Sequence, residues 1–478
     1  MSKSLKYTLY GILILDIIGI LLSVPFSSTL LMDNLEHLRM SYLVSQGYVP
    51  YRDFFEHHHP LLWYMFAPFM KILPHNIITV LFIARFSALI ARVIMFYFIY
   101  LIFKRFFGDG TLILYFMLIV FSFYPIWYGF SYFKPDVFEL LFFFIGLYLF
   151  FMYMHSLKII YLIASALCFM VSFLFLQTAI FSILPLSVIL IYFAKKNPKV
   201  TADILIASVL PILILSGIAL YMYENEVIRR YYDLNWTFNR NIFDLCDDFI
   251  DFSSVIPYYI VQLFMGIVSL MWVIKKDRDN KYVQTVGLLY IFSIAEHTFF
   301  VTTNAHYLIL TLIYCSMIIA PVMKQIFCSV KKQSKNRAVF YIFSYLFVYI
   351  IFNFTGLWLW NNNELFRNRK IFSNYDKSPI VNIDNTYKFI WNKHVSYYEM
   401  RNTLHKVDDY LFHTHPEYDI NEQIKQYKPE YLEYDVTLAQ KHQRYKIKNG
   451  RFEISLKNLQ EYEQIYPNLW RRKDTFSQ

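Results

Sequence analysis

Apolar residues along this chain fall in blocks of roughly 17 to 25, the length a helix needs to cross a hydrocarbon core. Shorter polar connections separate them. The pattern predicts spans near Tyr7 to Phe26, Ile77 to Phe103, Thr111 to Tyr128, Val137 to Met154, Ile159 to Leu176, Ile180 to Phe193 and Ala202 to Met222. Four more follow, at Val255 to Ile274, Val283 to Val301, His306 to Met323 and Val339 to Trp360. The expectation is an all-α polytopic membrane protein of about eleven transmembrane helices. Ten-residue alternating segments, the mark of an outer-membrane barrel, do not occur.

Polar stretches between the blocks carry their own elements. NLEHLRMSYLVSQG places Leu35, Leu38, Tyr42 and Leu43-Val44 on one face, which predicts an amphipathic helix on the membrane surface, ended by Gly47 and Pro50. Trp63, Tyr64 and Phe66 then read as interfacial aromatics. After Trp360 the chain turns polar, and a short amphipathic helix followed by the strand-like YLEYD predicts a small α/β or α+β module. The expected division is a membrane domain over 1–360, with its first outer loop at 27–76, and a soluble domain over 361–478.

Composition supports this reading. The 478 residues are 57% hydrophobic and 20% aromatic, too apolar for an ordinary soluble globule. The net charge of +10 lies largely in short connections such as Lys104-Arg105, Lys158, Lys195-Lys196, Lys275-Lys276 and Lys331-Lys332. Such placement orients a membrane protein and does not point to nucleic acid. With the N-terminus cytoplasmic, and the first span an uncleaved signal anchor, the loop Ser27 to Asn76, the loop Tyr223 to Ser254 and the tail all come to the outer face. Short connections suggest a bacterial inner membrane. Cys168, Cys246, Cys315 and Cys328 have no metal-like spacing, and no structural disulfide is expected.

The densest chemistry lies in the first outer loop, MDNLEHLRMSYLVSQGYVPYRDFFEHHHP. Asp33 with Glu36 three residues on reads as a capping box or as a reactive carboxylate. Glu56 beside His57, His58 and His59 can bind a divalent metal, hold an anionic headgroup, or form a solvated loop. Lys134-Pro135-Asp136 suits a helix start, and Glu139 one turn deeper is costly in lipid. Glu296, His297 and His306-Tyr307 interrupt late spans. The charges of the second outer loop, Arg229, Arg230, Arg240 and Asp244 to Asp251, read as a solvated helix face.

This order of features resembles the GT-C superfamily of membrane glycosyltransferases, in the bacterial branch related to protein O-mannosyltransferases and lipid A aminoarabinose transferases. Its members have an acidic residue after the first span, then a G-x-x-P-Y-x-D-F-x-x-H-x-P-L type stretch. Asp33, Gly47 and Pro50 through Leu61 resemble these, as Lys134-Pro135-Asp136 and His306-Tyr307 resemble two later motifs. The resemblance is strongest between Asp33 and Pro68, and the family's acidic pair stands here as Asp33-Asn34. It implies inverting transfer of a sugar from a polyprenyl-phosphate donor to a lipid, glycan or protein acceptor. It further implies Asp33 as general base with Glu36 as alternative. Arg52, Asp53, His57, His58, Lys134, Asp136, His306 and Tyr307 would contact substrate, and Glu56 with His57 would form a metal site. A transporter or lipid-carrier flippase and a glycan polymerase or ligase are the competing readings. The first favours repeated halves, which are absent here, and the second keeps support from Arg229, Arg230 and Arg240.

Overall fold

A computed structural model describes residues 32–73, 77–107, 133–239 and 280–299, short stretches at 380–382, 428–433, 459–466 and 469–473, and single positions between 264 and 425. The described chain is mostly helical, with one small sheet. Three helices are long and apolar enough to cross a membrane: Thr79–Phe106, Pro135–Ser156 and Pro198–Glu224. They coincide with three of the expected spans. The expected spans at Tyr7, Thr111 and Val339 lie outside the described residues, as do His306 and Tyr307.

The helices run in the order α1 (Met32–Ser45), α2 (Leu61–Ile72), α3 (Ile77–Ile102), α4 (Pro135–Ser156), α5 (Ile159–Phe175), α6 (Ala179–Ala194), α7 (Pro198–Glu224), α8 (Ile228–Tyr232) and α9 (Lys281–Phe299). Wide π turns extend α3 at Phe103–Phe107 and α8 at Asp233–Phe238. The chain forms two compact units. One comprises residues 1–29, 85–218 and 250–361; the other comprises 30–84, 219–249 and 362–478. The second unit thus combines most of the three stretches expected as the first outer loop, the second outer loop and the tail.

In the first unit, α4 and α5 form an antiparallel pair. Ser165 Oγ donates to Gly146 O at 2.8 Å, and Ser172 Oγ to Glu139 O at 2.9 Å. Each step is seven residues, or two turns, so small side chains recur along one seam and let the backbones approach. Phe169 fills the space over Gly146, and Phe175 stacks on Phe138 and Phe142. Pro135 opens α4 at its first position, where its missing N–H is not needed, and Asp136 follows in the first turn. At the other end Lys281 Nζ donates to Met154 O, and Lys199 Nζ to Leu157 O. Cations at a helix C-terminus offset its exposed carbonyls. Two of the basic connections therefore meet at the end of α4 that leads into Lys158.

In the second unit, α1 ends as the sequence predicts. Gly47 adopts φ +94°, Gly47 N–H donates to Val44 O, and Tyr48 N–H donates to Leu43 O, which is a Schellman closure. Its environment corrects the surface-helix expectation, because every residue from Asn34 to Leu43 is buried. The cause is α2, which packs on it through Leu62, Trp63, Phe66, Ala67 and Met70. Trp63 and Phe66 are thereby core residues, while Tyr64 stays exposed. Asp33 is the second residue of α1 and so stands inside the helix, not before it as a cap.

The tail contributes a four-stranded mixed sheet in the order β1-β2-β4-β3: Ile380–Asn382, Tyr431–Glu433, Leu469–Arg472 and Tyr462–Tyr466. β1 and β2 are parallel; β4 is antiparallel to both β2 and β3. The expected strand at YLEYD is β2, with Leu432 fully buried.

A Cβ placed on Gly146 would lie 2.7 Å from the Phe169 ring. Gly146→Val is expected to destabilise the first unit by about 1–3 kcal/mol, against roughly 0.6 kcal/mol for Ser165→Ala. Thermal unfolding in detergent, read by circular dichroism, should rank the two variants in that order.

Candidate functional site

The path from α1 to α2 is a tight loop built by its own side chains. Tyr51 takes φ +66°, its N–H donates to Phe54 O, and its phenol donates to His58 O at 2.6 Å. Burial pushes the Tyr51 phenol well above its ordinary range. Asp53 accepts the Val49 N–H at 2.6 Å and receives both Arg52 Nε and Nη2, at 2.9 and 3.0 Å. It therefore serves the turn, and Arg52 lies exposed beside it.

Beneath this turn sits Glu56, which is fully buried. Its Oε1 accepts the backbone N–H of His57 at 2.8 Å and of His58 at 3.2 Å, and lies 2.7 Å from His58 Nδ1. His57 Nδ1 is 3.4 Å away. Burial alone would raise this carboxyl, but the charge and hydrogen bond of His58, with a further contribution from His57, outweigh it and hold the pKa at about 2. Glu56 Oε2 is buried with no hydrogen-bond partner among the described residues.

Two donor sets share Glu56. In one, ligand atoms of Glu56, His57 and His58 all lie within 4.8 Å of one another; in the other, those of Glu36, His37 and Glu56 do. Glu36 and His37 are 6% and 2% exposed, on α1. Trp63 Nε1 donates to His37 Nδ1 at 3.2 Å, tying α2 to the same cluster. The capping reading of Glu36 gives way to this geometry, since its carboxylate belongs to a buried group that contains Glu56.

The second outer loop completes the enclosure. Asn239 Nδ2 donates to His57 O at 2.8 Å, Tyr231 and His59 share a hydrogen bond of 2.8 Å, and Arg230 Nη1 donates to Arg52 O at 3.1 Å. Phe238 packs edge-on against Phe55 and His57. The sequence reading took these charges for a solvated face and passed over Tyr231, Asn235 and Asn239. Their spacing of four residues was the available signal, for it puts all three on one side of a helix. His59 too is buried, not solvated.

The remaining site expectations divide. The Asp33 backbone is described as helix, and Glu36, Glu56, His57 and His58 converge as stated. Lys134 and Asp136 are half-buried at the start of α4 and belong to the first unit. Glu139 is buried in the same helix. Arg240 and the acidic group from Asp244 to Asp251 fall outside the described residues. Arg85 and Arg92, which the span reading absorbed as apolar helix, are 0% and 4% exposed on α3, two turns apart. The opposite side of α3, with Phe86, Ile90, Val93 and Tyr97, is exposed. Charges on such a helix turn inward because lipid solvates them poorly.

No family model matches this chain, and no curated protein is similar to it.

The ordinary pKa of a glutamate is 4.5, and Glu56 is held near 2 in the folded protein. A depressed carboxyl contributes stability that is present above the ordinary value and is lost as pH falls through the folded one. The second unit is expected to weaken between pH 4.5 and 2, and Glu56→Gln should flatten that limb. At neutral pH the variant should cost ~1.5–3 kcal/mol, the range for a lost charged hydrogen bond. Tryptophan fluorescence of acid unfolding would show both.

Proposed function

We propose that this protein is an integral membrane glycosyltransferase that moves a sugar, with inversion, from a polyprenyl-phosphate carrier to a lipid, glycan or protein acceptor. The second unit faces the outside of a bacterial inner membrane, with the N-terminus cytoplasmic. One observation carries the reading: Glu36 and Glu56, buried residues from two segments of the stretch that resembles the GT-C superfamily, lie in one cluster with His37 and the half-buried His57 and His58. That stretch shares a compact unit with the second outer loop and the tail.

The chemistry asked of these groups is ordinary for them. A carboxylate takes the proton from the acceptor hydroxyl as its oxygen attacks the anomeric carbon. The bond from that carbon to the carrier phosphate breaks on the opposite face, and polyprenyl phosphate leaves with the electron pair. Growing negative charge on the phosphate calls for cationic donors, a role for Arg52, which belongs to the cluster's own unit. Glu36 is taken as the base, since its carboxylate belongs to the cluster among the described residues.

A divalent metal fits the donor set. Glu56 Oε2 is a buried carboxylate oxygen without a hydrogen-bond partner among the described residues, and two imidazoles lie close to this carboxylate. Glu56, His57 and His58 would hold the ion, with neutral imidazole and carboxylate as its ligand types. When bound it would supply Lewis acidity toward phosphate oxygens. The protein groups around it orient the ring nitrogens and keep water from the cluster.

The decisive assay follows transfer from a radiolabelled polyprenyl-phosphate sugar by the purified protein in liposomes. Glu36→Gln is expected to lower turnover by 10²-fold or more, the range of general base catalysis, with Asp33→Asn much less affected. The reverse order would return the base to Asp33, and full activity in both variants would remove this chemistry from the loop. Dialysis against a chelator should release stoichiometric metal from wild type and none from Glu56→Gln.

A further inference from the structure

The first unit closes at one end over basic side chains that sugar transfer does not use. Lys281 Nζ donates to Met154 O, and Lys199 Nζ to Leu157 O at 3.0 Å, so the starts of α9 and α7 both meet the end of α4. Phe106, in the π turn that extends α3, has its ring centroid 5.3 Å from that of Phe151 and 4.6 Å from that of Tyr282. Phe193 and Ala194, at the end of α6, pack on the buried group of Tyr153, Leu162, Val200 and Ala207. Helices far apart in sequence thus bring Lys104, Arg105, Lys158, Lys195, Lys196, Lys199 and Lys281 to one end. Six of these are exposed and Lys281 is half-buried. Among the described residues the one acid at this end is Asp203, which is buried and accepts the Tyr153 hydroxyl at 2.9 Å.

Aromatic rings set the depth of this face. Lys196 Nζ donates to the Tyr192 hydroxyl at 2.6 Å and lies 4.4 Å from the ring centroid, and Lys104 Nζ lies 5.7 Å from the centroid of Tyr100. Each lysine stands one turn beyond its tyrosine, at the end of an apolar helix. That is the arrangement of a helix leaving hydrocarbon, with the ring at the boundary and the ammonium reaching into the headgroups. Orientation in the membrane asks only that each connection be basic, not that the connections meet. Here the fold gathers four of them around the end of α4.

We infer that this face is a binding surface for the anionic phospholipid headgroups of the surrounding bilayer. An ammonium has three N–H donors, and the α4 and Leu157 carbonyls take one each from Lys281 and Lys199. The donors beyond these serve phosphate oxygens, as basic pockets between spanning helices do for acidic lipids. A headgroup so held ties the ends of α3, α4, α7 and α9 together. None of these residues belongs to the cluster around Glu56, so the inference stands apart from sugar transfer.

The full chain in phosphatidylcholine bilayers, with a trace of spin-labelled lipid, provides the test by electron spin resonance. Spin-labelled phosphatidylglycerol is expected to associate with the protein about fivefold more strongly than spin-labelled phosphatidylcholine, which corresponds to about 1 kcal/mol, the attraction of one basic residue to an acidic surface. Equal association of the two labels overturns the inference, whatever the variants do. Combining Lys104→Gln, Arg105→Gln and Lys195→Gln leaves the carbonyl contacts of Lys199 and Lys281 in place and should bring the ratio towards one. Combining Lys71→Gln, Lys428→Gln and Lys473→Gln removes the same charge from the second unit and should leave the ratio unchanged. An equal loss in both variants, or a full preference retained in the first, would overturn the assignment to this face.

Discussion

The second unit is organised around one buried charge. Glu56 is fully enclosed, and enclosure of a lone carboxylate is among the most unfavourable events in folding. It is offset here by two backbone N–H donors from the next two residues and by the His58 ring. These contacts require the chain to curl back over Glu56, and the Tyr51 turn makes that curl. The phenol of Tyr51 fixes the His58 carbonyl, and Asp53 fixes the Val49 amide. Direction of the histidine run, and so of every imidazole in the cluster, follows from this closure.

Much of this was legible in the sequence, and the reasons for the rest are physical. Gly47 announced the end of α1 because only a residue without Cβ adopts φ +94° at little cost. Pro135 announced the start of α4, and the strand-like run YLEYD announced β2. What the pattern could not convey was the burial of α1. Periodicity counts apolar positions, and it reads Asn34, Glu36, His37, Arg39 and Ser41 as a wet face. In the folded unit all five are buried. Buried polar residues are matched to partners by long-range contact, which no local window contains. The same limit hid Asn239 and Tyr231, whose partners lie in a loop more than 170 residues earlier.

The two units solve the burial problem by different means. Along α4 and α5 the seam is Gly146, Ser165 and Ser172 under phenylalanine rings, and the serine hydroxyls are satisfied by carbonyls of the neighbouring helix. Helices in lipid gain little from apolar contact, so close approach and shared hydrogen bonds determine the pairing. Unit two places its polar side chains in a shared network instead, where removal of one member leaves others buried and unsatisfied.

A network of that kind is a poor way to gain stability and a good way to fix geometry. Replacing paired buried charges by apolar side chains of similar volume is often neutral or stabilising, so packing alone gives no reason for two carboxylates and three imidazoles in one core. Their arrangement does specify which atoms face which. Trp63 and Glu56 each meet the Nδ1 of one of two neighbouring rings, His37 and His58, and each is itself locked, one by the α1 to α2 packing and the other by backbone amides.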